Sequence, residues 1–196
     1  MIKICFTGHR PDADGMGGYD FGNSIDIELM DVTYKILETM YNKYRNPNSD
    51  KHYLYTIVGG AVGYDEIALN ACKELKGVID IEIELAAPFK KWKGNWPKET
   101  INRYKVYEQY MDKITYVDSL EKYKYGGAPI GEYHPAKMQL RNKYMVDNAD
   151  IVIACWNGST KGGTFNCVNY AKKMQKRLVV INPITHKIEY FFDKKY

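Results

Sequence analysis

Residues 151–164 read IVIACWNGSTKGGT: five apolar residues, then a polar stretch that contains three glycines. An apolar run of this length that ends in turn residues predicts a buried strand. Residues 164–176 then carry apolar side chains at helical spacing, which predicts a helix after the loop. The stretch therefore predicts a strand, a glycine-rich loop and a helix in succession, the repeating unit of parallel α/β sheets.

The same unit recurs along the chain. The apolar runs that predict strands are residues 2–6, 54–58, 81–86, 113–117, 151–155 and 178–181. The segments that predict helices are residues 25–40, 67–75, 97–111, 136–148 and 164–176. This alternation predicts an α/β fold: a single Rossmann-like domain of three layers, with helices on both faces of a mostly parallel sheet. Residues 119–135 follow neither period and predict a long loop, and the segment from His186 onward predicts a final hairpin or strand.

Length and composition predict one cytoplasmic domain. The 196 residues suffice for one well-packed core, expected at residues 1–183 with a C-terminal tail at 184–196. No run of about 18 apolar residues is present, and the chain begins as a strand rather than as a signal peptide, so no membrane partner is predicted. The four cysteines, which form no Cys-x-x-Cys pair, predict reduced thiols and no metal site; they are Cys5, Cys72, Cys155 and Cys167.

The charge distribution does not predict a nucleic-acid partner. The net charge is +4, the lysines are interspersed with acidic residues, and no arginine-rich block is present. Binding to a nucleic-acid backbone usually depends on a basic stripe. The 18 tyrosines offer ring faces for stacking on nucleobases, although partial burial is the simpler explanation for most of them.

The first candidate anion site follows the first predicted strand, at Thr7, Gly8, His9 and Arg10. A glycine directly after a buried strand lets backbone amides approach an anion closely. The Thr7 hydroxyl can donate a hydrogen bond and the Arg10 guanidinium can hold phosphate with two. A simple tight turn is the alternative explanation of this motif.

The second candidate site lies between the second strand and its helix, at Gly59, Gly60, Gly63 and Asp65. Glycines at a strand-to-helix turn expose the first amides of the helix, whose partial positive charge favours an anion. Asp65 either caps the helix or binds a ribose hydroxyl, since a carboxylate repels phosphate.

The third candidate site is the loop quoted at the outset. The residues expected to contact a ligand there are Asn157, Gly158, Ser159, Lys161, Gly162, Gly163 and Thr164. Residues 162–164 form a second helix N-terminus with bare amides, and because parallel strands end at one edge of a sheet, the three sites are expected to meet.

Two further groups flank these loops. Arg141, on the helix before the fifth strand, either reaches the ligand or forms an ordinary surface ion pair. Phe89, Trp92 and Trp96, which follow the third strand, either stack on a base or form a satellite hydrophobic cluster.

These motifs, taken in order, resemble the pattern of the YpsA-like proteins of the SLOG superfamily. The matching residues are Thr7-Gly8-His9-Arg10-Pro11, Gly59-Gly60-Ala61-x-Gly63-x-Asp65, Pro88-Phe89, Arg141-Asn142-x-x-Met145-Val146-Asp147-x-Ala149-Asp150 and Gly162-Gly163-Thr164. The resemblance runs from residue 1 to about residue 183. It implies a Rossmann-like nucleotide-binding fold related to the DNA-processing protein DprA and to the LOG-type cytokinin-activating phosphoribohydrolases, and it implies a homo-oligomer.

The sequence departs from the LOG-type enzymes at one important place. Those enzymes are expected to carry acidic groups shortly after the Gly-Thr, whereas residues 165–168 here read FNCV. Cleavage of an N-glycosidic bond needs a carboxylate to stabilise the oxocarbenium-like centre or to activate water. Asp65 and Glu66 are the only catalytic candidates in the loops, so the sequence favours a binding protein over an enzyme.

The leading hypothesis is a protein that senses or sequesters a nucleotide or a nucleotide-derived signalling ligand, either as a bacterial regulator or as a phage protein that removes an immune signal. Its phosphate is expected between residues 59–60 and 162–163. No cofactor is required, and Mg²⁺ would enter only with the ligand. Two alternatives stay open: a LOG-type N-glycosidase, phosphoribohydrolase or transferase, and a DprA-like DNA-processing accessory protein.

Overall fold

The apolar runs pair into one twisted sheet within the part of the chain that the computed structural model describes, residues 1–10, 27–45 and 54–191. Its strands are β1 (Ile2–Gly8), β2 (Leu54–Val58), β3 (Ile81–Ala87), β4 (Lys113–Tyr116), β5 (Ile151–Cys155), β6 (Arg177–Ile181) and β7 (Ile188–Phe191). Their order is β4-β3-β2-β1-β5-β6-β7, and every pair is parallel except β6 with β7. The six strands predicted from the sequence are present, and β7 comes from the segment after His186.

Five α-helices are described: α1 (Ile27–Tyr44), α2 (Tyr64–Lys76), α3 (Lys98–Glu108), α4 (Pro135–Asp147) and α5 (Gly162–Lys173). Two short 3-10 helices, Val117–Ser119 and Glu121–Tyr123, follow β4. The five α-helices correspond to the five predicted helices, although Ile25, the first apolar position expected for α1, lies outside the described residues. None of the five is both long and apolar enough to cross a bilayer.

The helices cover both faces of the sheet because the central strands are apolar on both sides. In β5, Ile151 and Ile153 belong to the core formed with α1, α2 and α3, whereas Val152 and Ala154 belong to the core formed with α4 and α5. This alternation gives the three layers that the sequence predicted. The four cysteines are buried free thiols within these cores.

The chain changes direction across the sheet next to β1. Strands β1 to β4 are laid down in order toward one edge, and the chain then returns so that β5 pairs with the other side of β1. Gly8, the last residue of β1, lies opposite Cys155, the last residue of β5. A crevice opens between the loops at such a topological switch point.

The segment predicted as a long loop is ordered by a buried ion pair. The Lys137 ammonium group donates to Asp118 Oδ2 at 2.9 Å, to the Pro129 carbonyl at 2.6 Å and to the Glu132 carbonyl at 2.9 Å. The Gly131 amide donates to the same carboxylate oxygen at 2.7 Å. Both charged side chains are 1% exposed, so α4 fixes the course of residues 129–132.

We expect Lys137→Met to lower the free energy of unfolding by about 3 to 5 kcal/mol, because it leaves the Asp118 carboxylate buried without its counter-ion. Urea unfolding followed by circular dichroism measures this change. Lys137→Met/Asp118→Asn, which removes both charges, should recover much of the loss.

Lys35→Met is the matched control, because its ion pair with Asp31 is solvent-exposed (68% and 52% exposed side chains). Its effect should stay below about 1 kcal/mol. Equal losses for Lys137→Met and Lys35→Met would contradict the structural role given to the buried pair.

Candidate functional site

A cavity of about 840 Å³ occupies the crevice at the carboxyl ends of β1 and β5. Its walls come from the end of β1, from the start of α2, from α4 and from the loop that leads into α5. The sequence-predicted residues that line it are Thr7, Gly8, His9, Arg10, Asp65, Arg141, Ser159, Lys161, Gly162, Gly163 and Thr164. The structure therefore brings together the first predicted anion site and most of the third, but only Asp65 of the second.

The N-terminus of α5 forms one wall of the cavity. Lys161 occupies the N-cap position, and no side chain caps the helix there. Gly162 has φ of 93°, a conformation that favours glycine, and a Cβ atom on Gly162 or Gly163 would point into open space. The first amides of this 12-residue helix are therefore not shielded by side chains at these two positions, and the helix dipole gives this wall a partial positive charge.

His9, directly after β1, also lines the cavity. The side chain is buried, and its Nε2 atom has no hydrogen-bond partner among the described residues. Burial lowers the pKa of the imidazole, against the opposing effect of its contact with Asn157. The imidazole is therefore neutral at neutral pH, and its Nε2 atom is a buried polar group that the described residues leave unsatisfied.

Arg141 and Asp65 form a buried pair at the base of the cavity. Arg141 Nη1 lies 3.7 Å from Asp65 Oδ2 and also donates to the Gly59 carbonyl. The Ala61 amide donates to the same Asp65 oxygen at 3.0 Å. Burial raises the pKa of Asp65, while Arg141, the Ala61 amide and the nearby Arg10 oppose the shift.

Arg10 and Lys161 are exposed cations that line the cavity, whereas Arg141 is largely committed to the protein. The Arg141 Nε–H group donates to Asn142 Oδ1 at 2.9 Å, in addition to the bond with Gly59. Arg141 is therefore not the simple surface ion pair that the sequence left open, and its predicted contact with a ligand stays a prediction. It holds the base of the site and places positive charge there.

The glycines of the loop between β2 and α2 lie behind the cavity wall rather than on its surface. A Cβ atom on Gly59 would overlap Arg141 Nη1 and lie 2.6 Å from Asp65 Oδ2. A Cβ atom on Gly60 would lie 2.6 Å from the Leu85 side chain. The structure thus gives these glycines a packing role, and their predicted contact with phosphate stays a prediction.

Gly63 also serves the protein itself: it is the N-cap residue of α2 and its carbonyl accepts the Glu66 amide at 2.9 Å. The next amide, that of Tyr64, donates to the His9 carbonyl at 3.3 Å. The first turn of α2 is thereby tied to the end of β1. Pro11, part of the motif that resembles the YpsA-like pattern, lies outside the described residues.

Three other predicted residues stand aside from the cavity. Asn157 and Gly158 shape the turn after β5, where the Ser159 amide donates to Asn157 Oδ1 at 3.0 Å. Glu66 turns to the opposite side and forms an ion pair with Arg103. Asp65 is consequently the only carboxylate among the described residues that line the cavity.

The sequence did not identify Tyr133, Met138 and Gln139, which line the cavity from the Lys137-fixed loop and from α4. Tyr133 lies in the segment without periodicity, and the length of that segment was the only signal that it carries function. Met138 and Gln139 had no sequence signal apart from their position near Arg141.

The aromatic residues after β3 form a cluster and also border a groove. Trp92 packs edge to face against Trp96, with ring centroids 4.8 Å apart, and against Tyr104 at 5.5 Å. Phe89 and Trp92 are buried, as expected for a hydrophobic cluster. Both also line a second cavity of about 670 Å³ that adjoins the first, so the packing role does not exclude the ligand-binding one.

Comparison with known proteins gives one family for nearly the whole chain. The family model YpsA, described as the YspA SLOG family, matches residues 4–187. The chain is 38% identical over 155 residues to the SPbeta prophage-derived protein YoqJ of Bacillus subtilis strain 168, which covers 77% of this chain and 84% of YoqJ. It is 26% identical over 120 residues to a UPF0398 protein of Bacillus cereus strain ATCC 14579, over 61% of this chain and 60% of that protein.

Two solved structures share the fold. DNA processing protein A (DprA) from Streptococcus pneumoniae matches 93% of this chain with a TM-score of 0.59 and 13% identity, and the match covers 50% of that chain. DprA from Helicobacter pylori, whose structure is described as showing its single-stranded DNA binding mode, matches 92% with a TM-score of 0.53 and 15% identity, over 65% of its chain. These matches confirm the Rossmann-like fold.

We expect Gly59→Ala to lower the free energy of unfolding by about 1 to 3 kcal/mol, because the added methyl group must displace the buried Arg141–Asp65 pair. Gly77→Ala is the matched control: its Cβ would make an ordinary contact 3.6 Å from the Glu74 carbonyl, and Gly77 has φ of −75°. The control should be neutral or stabilising by up to about 1 kcal/mol. Thermal and urea unfolding compare the two variants, and an unaffected Gly59→Ala protein would show that the packing at Gly59 is not required.

Proposed function

The chain belongs to the YspA SLOG family, and from this membership and the geometry of the cavity we propose that it binds the phosphate of a nucleotide or nucleotide-derived ligand at the carboxyl ends of β1 and β5. One observation carries the proposal: the uncapped N-terminus of α5 lines the same cavity as His9, a buried residue whose Nε2 atom has no hydrogen-bond partner among the described residues. A bound anion accepts hydrogen bonds from bare helix amides, and it accepts one from the imidazole when Nε2 carries a proton.

The charges around the cavity support an anionic ligand. Arg10, Arg141 and Lys161 line it, against the single carboxylate of Asp65 within the described lining. Asp65 is itself held by Arg141 and by the Ala61 amide. A cavity of about 840 Å³ also lies within the range of typical small-molecule sites.

A binding protein of this kind acts as a sensor or as a sequestering protein. YoqJ, at 38% identity, is prophage-derived by name, which supports a phage origin for the sequestering role. The proposal requires no cofactor, and Mg²⁺ would arrive with the phosphate. We also propose that the chain forms a homo-oligomer, as the family resemblance implies.

Single-stranded DNA binding is the second candidate. It is favoured by the fold shared with the Helicobacter pylori DprA, described by its single-stranded DNA binding mode. This neighbour weakens the expectation, drawn from the balanced charge, that nucleic acid is not a partner. Oligonucleotide binding that weakens steeply with salt would support this candidate, since backbone contacts release counter-ions.

The hydrolase alternative now depends on Asp65 alone, since Glu66 is paired with Arg103 away from the cavity. Burial raises the pKa of Asp65, which suits a general acid. Release of free base from a nucleoside monophosphate by the wild-type protein, abolished in Asp65→Asn, would favour turnover over binding.

Gly163→Asp should abolish ligand binding while the protein stays folded. A side chain at Gly163 meets open space, and a carboxylate in the first turn of a helix is stabilising by about 0.3 to 1 kcal/mol. The same carboxylate repels a bound phosphate, so affinity should fall by at least about tenfold. Mass spectrometry of small molecules released from denatured protein, with calorimetric titration of AMP, measures the loss.

Gly163→Ala is the control, because it adds a side chain of similar position without charge and should retain binding. Equal affinity in the wild type and Gly163→Asp would place the ligand elsewhere. Failure of the wild-type protein to bind phosphate, ribose 5-phosphate or any nucleoside monophosphate would contradict the proposed function itself.

Affinity for a divalent anion should rise as the pH falls from about 7.5 to 5.5. The free protein holds His9 neutral because burial lowers its pKa, whereas a bound anion favours the imidazolium and raises that pKa. Linkage then gives up to about tenfold tighter binding per pH unit between the bound-state pKa and the lower free-state pKa of His9. Sulfate, which does not titrate in this range, is the probe for NMR titration, and His9→Gln should flatten the profile. A flat profile in the wild type would exclude His9 from the anion site.

A further inference from the structure

We propose that the aromatic groove beside the cavity is a base-binding subsite, in which Tyr133 stacks on the nucleobase of the ligand whose phosphate lies at α5. The inference rests on the proposed function and deepens it, since it states that the chain selects nucleotides over simple sugar phosphates. Two observations support it: the two cavities share lining residues, and the exposed ring of Tyr133 belongs to both linings.

The two cavities form one surface. The groove of about 670 Å³ shares Arg10, Tyr133 and Met138 with the phosphate-side cavity. A nucleotide has its base separated from its phosphate by one sugar, and it therefore needs two neighbouring subsites of different chemistry. The cationic and amide-lined cavity suits the phosphate, and the aromatic groove suits the base.

Tyr133 is exposed but its position is determined by buried groups. Its side chain is 63% exposed. The Lys137 ammonium group binds the neighbouring Glu132 carbonyl, and Asp118 binds the Gly131 amide, so both residues before Tyr133 are fixed from the core. A ring that is already ordered loses little conformational entropy when a base stacks on it.

Contacts with Phe89 position the Tyr133 ring further. The two rings meet edge to face, with centroids 6.1 Å apart and an interplanar angle of 76°. Phe89 is buried, so it supports Tyr133 without competing for the ligand. The hydrophobic-cluster explanation therefore accounts for Phe89 but leaves the exposed Tyr133 unexplained.

The other wall of the groove is rigid and aromatic. Trp92 and Trp96 line it and are locked to each other and to Tyr104 by edge-to-face contacts. Trp92 approaches the β2–α2 loop closely, because a Cβ atom on Gly60 would lie 3.0 Å from its ring. A side chain at position 60 would therefore press against the aromatic wall, and the φ of 68° at Gly60 also favours glycine.

Polar groups at the rim provide hydrogen bonds for the edge of a base. Lys91, Asn95 and Glu132 line the groove beside its aromatic walls. A nucleobase presents donors and acceptors around a flat apolar face, and this combination of aromatic walls and polar rim matches it. A purely apolar ligand would leave these groups without a role.

Calorimetric titration with AMP, GMP, CMP and UMP, compared with ribose 5-phosphate, tests the subsite. We expect at least one nucleotide to bind about tenfold or more tightly than ribose 5-phosphate, because stacking on an aromatic ring is worth about tenfold to a hundredfold per base. Tyr133→Ala should bring that nucleotide close to the affinity of ribose 5-phosphate, and the affinity of ribose 5-phosphate itself should fall much less than that of the nucleotide. Tyr133→Phe, which keeps the ring, should retain the preference.

Binding of the base should also quench the fluorescence of Trp92 and Trp96. Measured in a Trp156→Phe background, which removes the third tryptophan of the chain, Trp96→Phe separates the two signals. Ribose 5-phosphate that binds as tightly as every nucleotide would overturn the base subsite and leave the proposed phosphate site intact. A nucleotide preference unchanged in Tyr133→Ala would overturn the role of Tyr133. Absence of binding by all five compounds would overturn the proposed function together with this inference.

Discussion

The pairing of β1 with β5 is the interaction on which the cavity depends. Asp150, at the entry to β5, fixes the alignment: its side chain accepts the Lys3 amide at 2.8 Å, and its own amide donates to the Lys3 carbonyl at 2.8 Å. With the strands so aligned, Gly8 and Cys155 end at the same level. The helix α1 then packs on one face of the sheet and α5 on the other, as expected where a crevice opens at a topological switch point.

Buried charges give the crevice its shape. Arg141 joins α4 to the Gly59 carbonyl and to Asp65 at the start of α2. Lys137, one turn earlier on α4, joins that helix to the loop that carries Tyr133. Buried ion pairs contribute little net stability compared with apolar packing, so their value here lies in fixing the position of loops. One helix thereby sets both the base of the cavity and the wall of the aromatic groove.

The sequence predicted the fold well because its signals are local. Each strand–loop–helix unit is visible in consecutive residues, and parallel pairing follows from the alternation. The site was predicted only in part, because the environment of a glycine depends on distant residues. Gly59 and Gly163 both lie in strand-to-helix loops, yet Gly59 faces Arg141, which lies far along the chain, and Gly163 faces open space. Glu66 is a similar case. The sequence made it a catalytic candidate but could not show its ion pair with Arg103, because Arg103 belongs to α3.

The electrostatics of the crevice favour binding over hydrolysis. Glycosidic bond cleavage usually uses two carboxylates, one for the leaving group and one for the water or the anomeric carbon. The described cavity lining has Asp65 alone, and one of its oxygens already accepts the Ala61 amide and lies near Arg141. A carboxylate with those contacts stabilises the protein rather than a developing positive charge on a sugar. The uncapped α5 helix and the Arg10 guanidinium instead match the negative charge that the proposed ligand already carries, an interaction that serves binding of the ground state rather than acceleration of a bond cleavage.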